Sequence, residues 1–165
     1  MKVLHAPTHT MIWTDPPWEN RMVKWFETKM EKDTGAEKPQ NNIEDILDRL
    51  AYLASPAQPC FIEYGIKGYE KVVKAMQNKG HILREAVVRE MSNGNPYVII
   101  SFNTDRSIPH AKSHEIITKV ISTFKYPTVW DPFAGIGVTR KAVEKGGGKY
   151  IGYEMNKARF DRMNY

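Results

Sequence analysis

Short apolar segments alternate with segments of helical periodicity along most of this chain. Residues 10–14, 60–64, 128–130 and 150–153 favour strands, and most of the intervals between them carry apolar residues at helical spacing. Alternation of this kind predicts an α/β fold around a mostly parallel sheet. We therefore expect a three-layer α/β/α sandwich of Rossmann-like architecture, with helices on both faces of the sheet.

One interval contains no helical pattern. Residues 81–90 and 97–102 both favour strands, and a turn-forming segment that includes Asn93 and Gly94 separates them. An Asn-Gly pair is a strong hairpin signal. The sheet is therefore expected to carry an antiparallel hairpin at one edge.

Capping residues mark the expected helices. Asn42 and Ser113 can each cap a helix, and Gly80 closes the helix that begins near residue 69. A further helix is expected over about 139–145, and a last short one near Asn156.

Residues 19–41 are more polar than the rest of the chain. Five Lys/Arg and five Asp/Glu are interspersed there, together with Gly35 and Pro39. This composition favours a loop of low order. We expect a flexible lid or a substrate-contacting loop.

Length and composition restrict the class of protein. A chain of 165 residues suffices for one domain with one core, so residues 1–165 are expected to form a single domain. The one cysteine, Cys60, excludes an internal disulfide and a cysteine-rich zinc site, and no metal is expected. The N-terminal segment lacks a long apolar run, so we expect no signal peptide, no membrane span and a cytoplasmic location.

The net charge of +5 is unevenly distributed. The first 78 residues carry 10 Lys/Arg and 11 Asp/Glu, whereas residues 79–165 carry 14 Lys/Arg and 8 Asp/Glu. A basic half suits a polyanionic partner such as nucleic acid. A solvated lysine-rich surface is the alternative that charge alone leaves open.

A glycine-containing turn follows the strand at residues 128–130 and opens a helix. It runs from Asp131 to Thr139, with Gly135 and Gly137 permitting close approach of a ligand to the backbone. In α/β proteins ligands bind at the carboxyl ends of strands. Glu154 ends the next strand, where a carboxylate can accept hydrogen bonds from both hydroxyls of a ribose.

Three ligand classes compete for this turn. A dinucleotide fingerprint needs glycine where Arg140 stands, and a phosphate loop needs a terminal Gly-Lys-Ser/Thr that is absent. S-adenosylmethionine fits, since it offers a ribose and an amino acid but no phosphate. A tight turn whose glycines serve only packing is the remaining interpretation.

The tetrapeptide Asp15-Pro16-Pro17-Trp18 follows another buried strand. Two prolines fix the backbone and leave carbonyls free to accept hydrogen bonds. Asp15 and the Pro16 carbonyl can accept both hydrogens of an exocyclic amine, which frees its lone pair for in-line attack on a sulfonium methyl group. Trp18 can stack on a purine that has left its helix. A Pro-Pro turn with a packing tryptophan is the alternative, and Trp13 and Trp130 are expected only in the core.

These motifs resemble those of the amino-methyltransferases that modify adenine N6 or cytosine N4. The tetrapeptide matches the catalytic motif of that family, residues 131–137 match its cofactor motif, and residues 150–154 resemble the strand whose acid holds the ribose. The catalytic motif precedes the cofactor motif, which is the permuted order of the beta group and of related adenine RNA methyltransferases. The resemblance is to a compact, phage-like form and spans residues from about 10 to the end.

The resemblance implies which residues are catalytic and which bind the cofactor. The catalytic residues are expected to be Asp15, Pro16, Pro17 and Trp18. The residues expected to bind S-adenosylmethionine are Thr14, Asp15, Lys112, Ser113, Asp131, Pro132, Phe133, Ala134, Gly135, Gly137, Thr139, Glu154 and Met155. Lys112 departs from the usual pattern of the group, because Ser113 rather than proline follows it. An initial Asp15, rather than serine, favours adenine over cytosine.

Two departures from the family bear on partners. A separate target-recognition domain is missing, so we expect little or short sequence specificity, or recognition by a partner subunit. The third strand of the usual sheet must come from residues 1–8 or be absent. A shortened sheet and a small nucleic-acid footprint make a homodimer plausible.

Three hypotheses follow. The first is a DNA adenine-N6 methyltransferase. The second keeps methyl transfer but changes the acceptor to adenine N6 in RNA or to cytosine N4 in DNA. The third is a non-catalytic nucleic-acid-binding subunit of the same fold, against which the retention of Asp15 and both prolines argues.

Overall fold

The computed structural model describes residues 10–35, 37, 40–124, 127–154 and 156–163. Within these ranges the chain forms six strands and six helices. The strands are β1 (Thr10–Thr14), β2 (Cys60–Gly65), β3 (Leu83–Glu90), β4 (Pro96–Phe102), β5 (Thr128–Asp131) and β6 (Lys149–Gly152). The helices are α1 (Asn20–Thr34), α2 (Ile43–Leu53), α3 (Tyr69–Asn78), α4 (Ser113–Ser122), α5 (Val138–Lys145) and α6 (Lys157–Met163).

The strands form one sheet in the order β3-β4-β2-β1-β5-β6. β1 is parallel to β2 and β5, and β5 is parallel to β6. β4 is antiparallel to both β2 and β3, and Gly94 in the intervening turn adopts a φ of 81°. The mostly parallel sheet with an antiparallel hairpin at its edge is therefore confirmed.

Side chains that alternate along the strands divide the core into two layers. Ile12 of β1 and Ile62 of β2 pack on one face, against the apolar stripes of α2 and α3. Trp13 and Phe61 point to the other face, where their rings stack 4.9 Å apart beside α4 and α5. This alternation is the ordinary period of a strand, and it confirms the three-layer α/β/α fold. Trp13 and Trp130 are both buried, as expected.

Helix α1 corrects the expectation of a loop over residues 19–41. Met22, Val23, Phe26 and Met30 keep helical spacing, and they face the protein despite the charges between them. Gly35, a loop signal in the sequence, ends the helix in the left-handed conformation and donates its N–H to the Glu31 carbonyl. Whether α1 moves as a lid stays a prediction.

The helix ends follow the expected capping with one exception. Asn42 caps α2, since its Oδ1 accepts the Asp45 N–H at 2.9 Å. The N-cap position of α4 is Lys112 rather than Ser113, so that expectation was wrong by one residue. The third strand expected from residues 1–8 lies outside the described residues.

None of the helices in the described ranges combines the length and the apolar character needed to span a membrane.

Candidate functional site

A cavity of about 380 Å³ lies where β1, β5 and β6 end. These strands are parallel neighbours, so the residues that follow each of them meet at one edge of the sheet. Its size lies within the roughly 300–1,000 Å³ typical of small-molecule sites. The lining residues are Asp15, Pro16, Pro17, Met22, Val23, Phe26, Glu27, Met30, Asn41, Ile46, Pro132, Phe133, Ala134, Gly135, Ile136, Val138, Thr139, Tyr153, Glu154, Asn156 and Arg159.

The Asp131 carboxylate connects the strands beneath this cavity. Its Oδ1 accepts the Thr14 hydroxyl at 2.7 Å and the Phe133 N–H at 3.0 Å, while its Oδ2 accepts the Tyr150 hydroxyl at 2.9 Å. Burial raises the pKa of Asp131, and these hydrogen bonds, with one from Thr139, oppose that rise. Asp131 is buried and is not among the lining residues. Its hydrogen bonds hold the strand ends in position, and its contact with a cofactor stays a prediction.

The two glycines of the turn are needed for different reasons. Both have positive φ values, 57° at Gly135 and 85° at Gly137. Residues that carry a side chain rarely adopt such values. Gly135 lines the cavity, with Arg159 as its near neighbour, whereas a Cβ at Gly137 would lie 2.7 Å from Met163 Cγ. The absence of a side chain at Gly137 therefore allows α6 to pack closely against the turn. The contact of Gly137 with a cofactor stays a prediction.

Glu154 presents a fixed carboxylate to the cavity. Its Oε1 accepts the Asn156 N–H at 2.8 Å, and its Oε2 lies 4.0 Å from Arg159 Nη1. The side chain is 11% exposed. One oxygen is thus anchored by the backbone. The other lies at the limit of ion-pair distance from Arg159 and can accept from a ligand.

Arg159 and Asn156 join the site although the sequence analysis missed them. The Arg159 guanidinium lies over the Phe26 ring, 4.9 Å from its centroid, and the Asn156 side chain donates to Asp33 at 2.7 Å. Both contacts fasten the start of α6 to α1. No motif marks these residues, since they lie in a short polar segment after Glu154.

Asp15 faces the cavity at the end of β1. Its Oδ1 accepts the Trp18 indole N–H at 2.7 Å. Burial raises the pKa of Asp15 above the usual range of an aspartate, the Trp18 hydrogen bond opposes this, Asp131 adds to the rise and Arg159 opposes it. Many protein atoms lie around the Asp15 side chain, but the side chain itself is exposed to solvent through the cavity. Pro16 and Pro17 are buried and line the same wall.

Trp18 is held in place rather than directed into the cavity. Its ring packs against Gly65, where a Cβ would lie 2.9 Å from Trp18 Cε3, and its carbonyl accepts the Tyr64 hydroxyl at 2.7 Å. Trp18 is not among the lining residues. Stacking of this ring on a purine stays a prediction.

Glu63 is a second acidic residue near Asp15 that the sequence analysis missed. The register pairs Thr14 with Ile62, so the next residues along the two strands, Asp15 and Glu63, are neighbours. The Trp13 indole donates to Glu63 Oε1 at 2.7 Å. Burial raises the pKa of Glu63, and the Asp15 charge raises it further. The sequence feature that could have indicated Glu63 is that it is the one acidic residue in the apolar segment 60–64.

Several predicted residues lie away from the cavity or outside the description. Thr14 is buried and donates to Asp131, and Lys112 is the N-cap of α4; neither is among the lining residues. The side chain of Ser113 lies outside the description. Met155 lies outside the described residues. Their contacts with a cofactor stay predictions. Pro132, Phe133, Ala134 and Thr139 do line the cavity.

Across the described ranges, no group of three or more His, Cys, Asp or Glu side chains is arranged to hold a metal ion.

Comparisons with known proteins bear on this site. Residues 103–164 match the N6/N4 methyltransferase family model, which is described as DNA methylase. The match covers β5, the glycine turn, β6 and α6, but less than half of the chain. No curated protein matches the sequence.

Solved structures resemble the chain over most of its length. The complex of M1.HpyAVI with SAM has a TM-score of 0.67 at 15% identity, covering 94% of this chain and 86% of that one. TTHA0409 of Thermus thermophilus, named as a candidate DNA modification methylase, has a TM-score of 0.62 at 12% identity, covering 93% and 84%. At these identities the likeness shows the fold. Together with the family match, it confirms the resemblance to amino-methyltransferases that the two motifs indicate.

The packing of Trp18 on Gly65 gives a direct test of the acceptor side of the site. Gly65→Ala should displace the Trp18 ring and lower the free energy of unfolding by about 1–3 kcal/mol, because the added methyl group overpacks the contact. In a Trp18→Ala background the same substitution should cost much less. Urea unfolding of the four proteins gives the coupling. An equal cost in both backgrounds would refute the contact.

Proposed function

We propose that this protein transfers a methyl group from S-adenosylmethionine to the exocyclic N6 amine of adenine in DNA, with little or short sequence specificity. The observation that carries this proposal is one cavity that brings Asp15 together with the glycine turn and Glu154. The match to the DNA methylase family and the likeness to a solved complex with SAM support it.

The residues around the cavity fit this cofactor. Glu154 has an oxygen placed to accept hydrogen bonds from ribose hydroxyls, and Gly135 lets a ligand approach the backbone. Ile136 and Val138 are apolar, partly exposed and suited to cover an adenine ring. The carboxylates of Asp15 and Glu154 complement a cation. When bound, S-adenosylmethionine supplies a methyl group on a positively charged sulfur.

The acceptor chemistry depends on groups of the chain itself. Asp15 and the Pro16 carbonyl accept the two N6 hydrogens, which localises the lone pair of the amine on nitrogen. As the amine takes the methyl group, Asp15 and the Pro16 carbonyl would stabilise the positive charge that develops on nitrogen. The Trp18 N–H fixes the orientation of the Asp15 carboxylate. The nitrogen then loses one proton to Asp15 or, through the cavity, to water.

The first test is transfer of labelled methyl to duplex DNA, single-stranded DNA and RNA, followed by nucleoside mass spectrometry. We expect N6-methyladenine in DNA. Asp15→Ala should abolish the product, because the amine loses its charged acceptor, while cofactor binding is at least partly retained through the glycine turn and Glu154. N4-methylcytosine, or methyladenine only in RNA, would correct the acceptor. No product on any nucleic acid would contradict the proposal, and active Asp15→Ala would contradict the mechanism.

The pH dependence of the reaction follows from the raised pKa of Asp15. Asp15 must be ionised to accept both hydrogens, so kcat/KM for the nucleic acid should fall as the pH falls through that pKa. The fall should occur well above the ordinary aspartate value of about 3.9, and its midpoint belongs jointly to Asp15 and Glu63. Initial rates over about pH 5–9 measure it. A profile that stays flat down to pH 5 would contradict the assignment.

The role of Glu154 is tested by cofactor binding. Glu154→Ala should raise the Kd for S-adenosylhomocysteine roughly 10- to 100-fold, because hydrogen bonds to a charged group are lost. Glu154→Gln keeps an acceptor for the Asn156 N–H, so a loss there reports the ligand contact rather than a disturbed turn. Glu70→Ala, an exposed change on α3, is the matched control. Calorimetry measures the Kd of the natural protein and of the three variants. Equal values for all four would show that Glu154 does not bind the cofactor.

A further inference from the structure

Helix α1 has two unlike faces. Met22, Val23, Phe26 and Met30 face inward and line the cavity. Four residues at the spacing i, i+4, i+8 and i+11 lie together on another face, and we call them the α1 stripe: Arg21, Trp25, Lys29 and Lys32. The stripe contains three cations, one large aromatic ring and no acidic residue.

Trp25 is an unusual member of this surface. The side chain is 55% exposed, although tryptophan is ordinarily well buried. Its contacts leave much of the ring free: Phe26 meets it edge-on with ring centroids 4.9 Å apart, and the Lys29 Nζ lies 5.3 Å from its centroid. An exposed indole between cations is the arrangement that binds an unpaired base together with its phosphates.

Acidic residues flank the stripe on the other faces of α1. Glu19 precedes the helix and forms a solvent-exposed ion pair with Arg21 at 3.4 Å, which contributes little. Glu27 is buried and accepts from Asn41, and Asp33 accepts from Asn156. Glu31 and Asp33 are exposed acids elsewhere on α1 and partly offset the positive charge, but no acidic side chain lies within the stripe itself.

The position of α1 connects the stripe to the acceptor site. The helix begins at Asn20, two residues after the end of the tetrapeptide that contains Asp15, and its inward face shares the cavity with Asp15. A strand held on α1 therefore lies close to the carboxylate that receives the amine. An adenine in a duplex must leave its stack to reach such a carboxylate, so unpaired bases are present beside it.

We propose that the α1 stripe binds single-stranded DNA, with Trp25 stacking on an unpaired base and Arg21, Lys29 and Lys32 contacting phosphates. The inference rests on the proposed function for the identity of the strand, and it adds a binding surface outside the cavity. Trp25 thus provides the free aromatic face that Trp18, packed against Gly65, lacks.

The test uses the full chain and fluorescein-labelled oligo-dT, which offers no adenine and so reports binding apart from methyl transfer. Anisotropy titrations at several salt concentrations compare the natural protein with Trp25→Ala and Lys32→Glu. Trp25→Ala should weaken binding about tenfold or more with an unchanged salt slope, because stacking is lost. Lys32→Glu should weaken binding and lower the slope of log K against log salt by about 0.7 or more.

Two variants serve as matched controls. Tyr52→Ala removes another exposed aromatic ring, on α2, and Lys74→Glu reverses an exposed charge on α3. Both should bind oligo-dT within about twofold of the natural protein. Melting temperatures and S-adenosylhomocysteine affinity of every variant should be unchanged, which shows that fold and cavity are intact.

The outcomes separate this inference from the proposed function. Loss of oligo-dT binding in Trp25→Ala supports the stripe even if no nucleic acid is methylated, in which case only the proposed function fails. Absence of oligo-dT binding by the natural protein at low salt would overturn the stripe, as would equal binding by Trp25→Ala. Sedimentation that shows a dimer converted to a monomer by Trp25→Ala would also overturn it, since the occupant would then be a second copy.

Discussion

The candidate site depends on one buried carboxylate. Asp131 is removed from water, so its charge would be costly if its oxygens were unpaired. Hydrogen bonds from Thr14, Phe133 and Tyr150 satisfy them and thereby tie the ends of β1 and β6 to the turn that follows β5. The close packing of Tyr150 over Gly152, where a Cβ would lie only 2.5 Å from the ring, belongs to the same connection. The cavity exists because these ends are held side by side.

Acidic groups then give the cavity its chemical character. Asp15 and Glu154 line it from two different strand ends. Glu63 lies beside Asp15 and accepts a hydrogen bond from the Trp13 indole. Arg159 provides a counter-charge, since it lies near Glu154 and over the Phe26 ring and opposes the rise in the pKa of Asp15. The Asp15 charge contributes to the raised pKa of Glu63, so these two neighbouring carboxyl groups repel each other when both are ionised. Helix α1 closes the cavity with its apolar face and turns a basic, aromatic stripe outward.

Local patterns predicted the main parts of the site. The apolar segments that become β1, β5 and β6, the proline pair after β1 and the acid after β6 all carry their signals within a few residues, and the structure brings Asp15, Gly135 and Glu154 to one cavity. The helical spacing of α1 was present too, but charged residues between its apolar positions obscured it. Glu63, Asn156 and Arg159 were missed because their importance comes from neighbours distant along the chain.

The sequence by itself determined the α/β class, the hairpin at the edge, the motif order and the residue types at the strand ends, because these follow from backbone sterics and local periodicity. Only the tertiary structure decided which side chains face the cavity. It assigned Asp131 and Gly137 to holding the turn, packed Trp18 on Gly65 and left Trp25 exposed. The physical reason is that orientation depends on the partners that long-range packing supplies, and a linear pattern does not contain those partners.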